Sequence, residues 1–132
     1  MKNTVKCIVL ILLAFLFSAC GKGATENMIE VKDEQLPVKV MYHQMWETYT
    51  YAESTDPELI RTLLNELKDV KIGNETKMGY DDFGDSIVFE SSDGTQTKYY
   101  FEDNIYVMED GSRYEVEGLD PVRDTLRTLI PD

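Results

Sequence analysis

Few side chains in this 132-residue sequence are of types that do chemistry, and their spacing narrows the options further. The single histidine, His43, lies in an aromatic and β-branched stretch with no cysteine or clustered carboxylate nearby, a weak basis for a metal site. A serine hydrolase would need His43 aligned with a serine such as Ser91 or Ser92, and no segment presents an activated nucleophile. The densest group of oxygen ligands is the run Tyr80-Asp81-Asp82-Phe83-Gly84-Asp85. Its carboxylates Asp81, Asp82 and Asp85 are the candidate ligands for calcium, a cation that takes six to eight oxygens. Their spacing departs from the alternating acids of an EF-hand loop, and Asp with Gly is also ordinary loop chemistry. A glycine-rich phosphate loop and an HExxH helix are both absent from the sequence. These residues favour a non-enzymatic protein without a cofactor.

The N-terminus has a different chemistry. Lys2 and Lys6 precede an uninterrupted apolar run over residues 7–17, 11 residues long. A helix needs about 20 apolar residues to cross a bilayer. A short apolar run behind lysines and ahead of small residues is the pattern of an export signal. Phe17-Ser18-Ala19-Cys20 resembles the lipobox of bacterial lipoproteins, with Phe17 where that family usually carries Leu. The resemblance implies cleavage after residue 19 and a diacylglyceryl group on the Cys20 sulfur. The expected organisation is a signal peptide over residues 1–19, lipidated Cys20 and a flexible tether over 20–36, and one domain over 37–132. Residues 21–35 are polar and charged, and 15 such residues reach about 50 Å when extended.

Thirteen basic side chains face twenty-five acidic ones, a net charge of −12. Loss of the first nineteen residues removes Lys2 and Lys6 but no acid, giving −14. Such a surface repels phosphate backbones and anionic headgroups, so nucleic acid is excluded as a partner. With Cys7 removed and Cys20 acylated, no thiol would be left for a disulfide or a zinc site, and the domain must hold through its core alone.

Hydrophobic periodicity gives the elements. Residues 38–52 read as one long strand or two short ones, apolar on both faces, with undecided register. Asp56-Pro57 starts a helix, Asp as N-cap and Pro at the first helical position. Leu59, Ile60, Leu63, Leu64 and Leu67 then form one apolar stripe. Asp120-Pro121 reads as a second start of that kind, for a helix presenting Val122, Leu126, Leu129 and Ile130.

Four strands lie between, with their register set by turns. A three-residue loop Ser92-Asp93-Gly94 pairs Ile87 with Tyr99 and Phe89 with Thr97. A three-residue loop Glu102-Asp103-Asn104 pairs Phe101 with Ile105. A two-residue Asp110-Gly111 turn pairs Ile105 with Val116. The expected fold is α+β in two layers: strand, helix, four-stranded antiparallel meander and closing helix, with both helices on one sheet face. Ile87, Phe89, Thr97, Tyr99, Phe101, Ile105, Val107, Tyr114 and Val116 would share the covered face. Tyr100, Tyr106, Met108 and Arg113 would then gather on the opposite face, residue types enriched at protein interfaces.

The segments TYTYAESTD, PELIRTLLNELKDV, SIVFESSDGTQTKYYF and IYVMEDGSRYEV, behind the lipobox, make the chain similar to small lipoproteins of Gram-positive bacteria of the Bacillus and Clostridium groups. The resemblance implies a lipid-anchored location on the extracytoplasmic face of the cell membrane. The expected activity is protein or peptide binding with an envelope partner, and the alternative is capture of a small ligand or a cation.

Overall fold

The computed structural model describes residues 36–45, 48–79 and 84–132. The signal segment, Cys20, the tether, Asp81 and Asp82 lie outside the described residues. The rest forms a mixed α+β fold around one antiparallel sheet.

The ambiguous stretch at 38–52 is a hairpin of two strands. β1 (Lys39–Met45) and β2 (Tyr49–Ser54) pair from Val40 with Ser54 to Met45 with Tyr49. The pairing explains the two-sided apolar pattern. Val40, Tyr42 and Ala52 turn to the core, while Met41, His43, Tyr49 and Tyr51 alternate onto the other face. Helix α1 (Pro57–Lys68) begins as its sequence demands. The Asp56 carboxylate accepts the Glu58 N–H at 2.9 Å, and Pro57 needs no partner at the first turn. Its stripe of Ile60, Leu63, Leu64 and Leu67 is buried.

After β3 (Lys71–Glu75) come β4 (Gly84–Glu90), β5 (Gln96–Glu102), β6 (Ile105–Val107), β7 (Arg113–Glu117) and helix α2 (Asp120–Arg127). The sheet has seven strands in the order β2-β1-β4-β5-β6-β7-β3. The expected four-stranded meander is therefore only its middle, β4 to β7, extended by the hairpin on one side and β3 on the other. β3 has no counterpart in the sequence reading, because Gly73 and Asn74 are poor strand formers and Ile72 is its one apolar side chain. It is held by β7, where Ile72 faces Val116, with an irregularity before Glu75 reaches Tyr114.

Both helices cover one sheet face. Val40, Tyr42, Ile87, Phe89, Phe101 and Val116 from the strands meet Ile60, Leu63, Leu67, Val122 and Leu126 from the helices. At about 25 cal/mol per Å2 of apolar surface removed from water, this layer is the main source of stability in a domain with no disulfide.

Two turns differ from expectation, and in opposite senses. Glu102 pairs with Ile105, so the β5–β6 turn has two residues, with Asp103 in the left-handed region at φ 53°. The third loop has three residues, Glu109-Asp110-Gly111, and repeats the first. Gly94 and Gly111 both have φ 85°, and Asp93 and Asp110 each accept the backbone N–H two residues on, from Thr95 and Ser112, at 2.9 Å. Those N–H groups hold both carboxyls below the usual aspartate range. The two differences cancel at β7 and flip β6 alone. Tyr106, not Ile105, sits opposite Phe101 on the helix-covered face, and Val107 faces Tyr100. The gain is aromatic burial: the Tyr106 ring lies 5.4 Å from Phe101 and 6.5 Å from Tyr99. The second helix also starts differently from expectation. Leu119 holds its N-cap position without a side-chain bond, and Asp120 is already in the first turn.

Candidate functional site

The four interface candidates of the meander do not share one surface. Tyr106 belongs to the covered face and packs on the core, and burial raises its phenol pKa. Arg113 lies along Glu102, Nε to Oε2 and Nη2 to Oε1 both at 3.4 Å, with Glu102 only 4% exposed. Gly79 sits so close to this guanidinium that a Cβ there would come within 2.9 Å of it. Tyr100 lies against Gly84, with Lys98 Nζ 5.8 Å from its ring centre. The open face at this end of the sheet is thus partly covered. Tyr100, Tyr106 and Met108 do line one shallow hollow of about 170 Å3, with Lys98, Val107 and Glu109. Arg113 does not line it.

Asp85, the described member of the acidic run, is 3% exposed and faces the core. The Tyr42 hydroxyl donates to its Oδ1 at 2.7 Å, and Arg123 Nε donates to its Oδ2 at 3.3 Å. Arg123 also donates to the Asn104 side chain at 3.2 Å and to the Asp103 carbonyl. Both Asp85 oxygens are committed to protein donors, which ties β4, β1, α2 and the β5–β6 turn together. Burial, then the bond to Asp85, pushes the Tyr42 phenol far above its ordinary value. Among the described residues no group of three His, Cys, Asp or Glu could hold a metal ion.

The exposed chemistry lies instead on the β1–β2 hairpin. His43 Nδ1 and the Tyr49 hydroxyl are 2.5 Å apart, and the His43 ring centre is 4.7 Å from that of Tyr51. The Tyr51 hydroxyl donates to Glu53, which also pairs with Lys39 at 3.0 Å. These bonds lower the Glu53 pKa, the tyrosine's first and the lysine's second. Despite the contacts, Tyr49 is 66% exposed, Met45 47% and Tyr51 45%. Large apolar or aromatic side chains held together in water at a sheet edge mark an interaction surface more than isolated ones do.

Among the described residues, the side-chain hydrogen bond of His43 runs to Tyr49 and not to a serine. Ser86 stands opposite it in the register, but the imidazole bonds to Tyr49, and Ser91 and Ser92 lie at the far end of β4. The hairpin was hard to see in sequence, because no Gly or Pro marks its turn near residues 46–48. No family model, curated protein or solved structure matches the chain.

Proposed function

We propose that this chain is a lipid-anchored lipoprotein on the extracytoplasmic face of the cell membrane, acting without catalysis as a binding module for a protein or peptide of the envelope. The lipobox-like Phe17-Ser18-Ala19-Cys20 behind a short apolar run supports the anchor. No described helix is long and apolar enough to cross a membrane. The observation that carries the binding reading is the exposed group Met45, Tyr49 and Tyr51 around His43. Tyr and Met are residue types that concentrate in protein interfaces. For small-ligand capture, two hollows among the described residues, of about 170 and 150 Å3, fall below the roughly 300–1,000 Å3 common for ligand sites.

Two measurements test this. Metabolic labelling with a fatty acid should mark the wild-type chain and leave a Cys20→Ala variant unlabelled and released from membranes. Photocrosslinking in intact cells from position 49 should yield a reproducible protein adduct that a Tyr51→Ala change reduces. A folded chain that gives only solvent-quenched products would remove the binding reading.

A further inference from the structure

The two edges of the sheet are built differently. An exposed edge strand offers unpaired N–H and C=O groups to any extended chain, and proteins usually blunt it with Lys, Pro or a bulge. β3, at one edge, carries Lys71 and Gly73, and its pairing is irregular between Ile72 and Glu75. Among the described residues, β2 at the other edge carries no Lys, Pro or bulge, and Glu53 is its one charged side chain. Its six residues, Tyr-Thr-Tyr-Ala-Glu-Ser, pair in unbroken register with β1, and it contains neither Lys nor Pro. Tyr49 and Tyr51 project from it on alternate positions beside His43 and Met45.

We propose that β2 takes an extended cationic peptide segment as an eighth strand, with the Tyr49–Tyr51–His43 surface receiving its alternate side chains. This rests on the binding-module reading and names the class of partner. Backbone hydrogen bonds along the edge supply affinity, and pockets for alternate side chains supply selectivity, as in other strand additions. The charge of the occupant follows from the chain's own charge of −12, which attracts a basic segment and repels a second copy of itself. At the edge, the exposed tyrosine π faces favour Lys or Arg, while Glu53 is already paired with Lys39.

The test uses the full-length chain in neutral detergent micelles and a fluorescent nine-residue peptide alternating Lys and Val. Anisotropy should show it binding at least about tenfold tighter than a Glu/Val counterpart. Methylating alternate peptide nitrogens in two complementary sets should cost about tenfold in one set and little in the other, because one side of a strand faces the edge. A Tyr49→Ala/Tyr51→Ala variant with an unchanged circular dichroism spectrum should bind about tenfold more weakly. Equal binding of the acidic peptide, or indifference to both methylation sets, would overturn strand addition. Sedimentation showing a dimer that Thr50→Pro dissolves would overturn it in favour of a second copy. If no peptide binds while the crosslinked adduct at position 49 persists, strand addition is wrong and the binding module stands. If both are lost, both readings go.

Discussion

Replacing Arg123 with Met would test the closed network around Asp85. The substitution keeps an apolar stem under the sheet but removes the guanidinium, which is 3.3 Å from a carboxylate only 4% exposed at its side chain. Breaking one partner out of a buried ion pair typically costs ~3–5 kcal/mol, because the remaining charge is left without compensation. The Arg123 side chain keeps 15% of its exposure and Tyr42 still donates to Asp85, so the low end applies, about 3 kcal/mol. For a domain near this size 1 kcal/mol moves Tm by roughly 4–8 °C, so a fall of about 12–24 °C is expected. Urea unfolding followed by circular dichroism should show a lower midpoint with an unchanged slope. Asp85→Asn, which keeps an acceptor for Tyr42, should be costly alone yet less than additive with Arg123→Met, with a coupling of about 1.5 kcal/mol or more. A loss under about 1 kcal/mol for Arg123→Met, or additivity within about 0.5 kcal/mol, would refute the account of Asp85 as a buried, paired charge.

Alkaline pH should weaken the fold through Tyr42. Its phenol pKa is raised on folding by burial and by Asp85, so its contribution is full below the unfolded value near 10 and is lost as pH rises beyond it, by at most about 1.4 kcal/mol per pH unit. Tyr42→Phe should be less stable at pH 8, since Asp85 loses a donor, but should decline less steeply when urea midpoints are compared between pH 10 and 11.5. Gly84→Val should cost about 1–3 kcal/mol by overpacking, because a Cβ there meets the Tyr100 ring at 2.6 Å, and a Tyr100→Ala background should reduce the loss measured by thermal melting. Asp56→Ala should cost about 1 kcal/mol as a lost N-cap. Asp120→Ala should cost less, within about 0.3–1 kcal/mol, because that carboxylate offers only a charge to the helix terminus.

Local chemistry explains which elements were legible in the sequence. Asp56-Pro57 and the leucine stripe specify α1 without help from the rest of the chain, and the Ser92-Asp93-Gly94 loop sets β4 against β5 in the observed register. β6 is three residues long, Ile-Tyr-Val, apolar on both faces, so its own pattern cannot choose a side. Its register is decided by two neighbouring turns, and Asp-Gly is compatible with both a two- and a three-residue loop. Only the packing of Tyr106 between Phe101 and Tyr99 breaks the tie, and that contact is tertiary. The same limit applied to the site. Tyr100, Tyr106, Met108 and Arg113 were grouped by a register that β6 does not adopt, while His43, Tyr49 and Tyr51 come together only once the chain reverses between β1 and β2.

Charge, more than position, bears on what that hairpin meets. The described residues begin at Leu36, beside the start of β1, whereas the hairpin reversal follows Met45 at the other end. β1 has seven residues, about 23 Å of strand at 3.3 Å per residue. If Cys20 holds the chain at the membrane, a tether of about 50 Å outreaches that length, so position alone does not keep the hairpin from the bilayer. Charge does separate the two, because a chain of charge −12 is repelled by anionic headgroups. The exposed tyrosines of β2 therefore fit a basic protein segment better than they fit an anionic bilayer. That same charge discourages two neighbouring copies from joining their β2 edges, six residues that among the described ones pair only with β1.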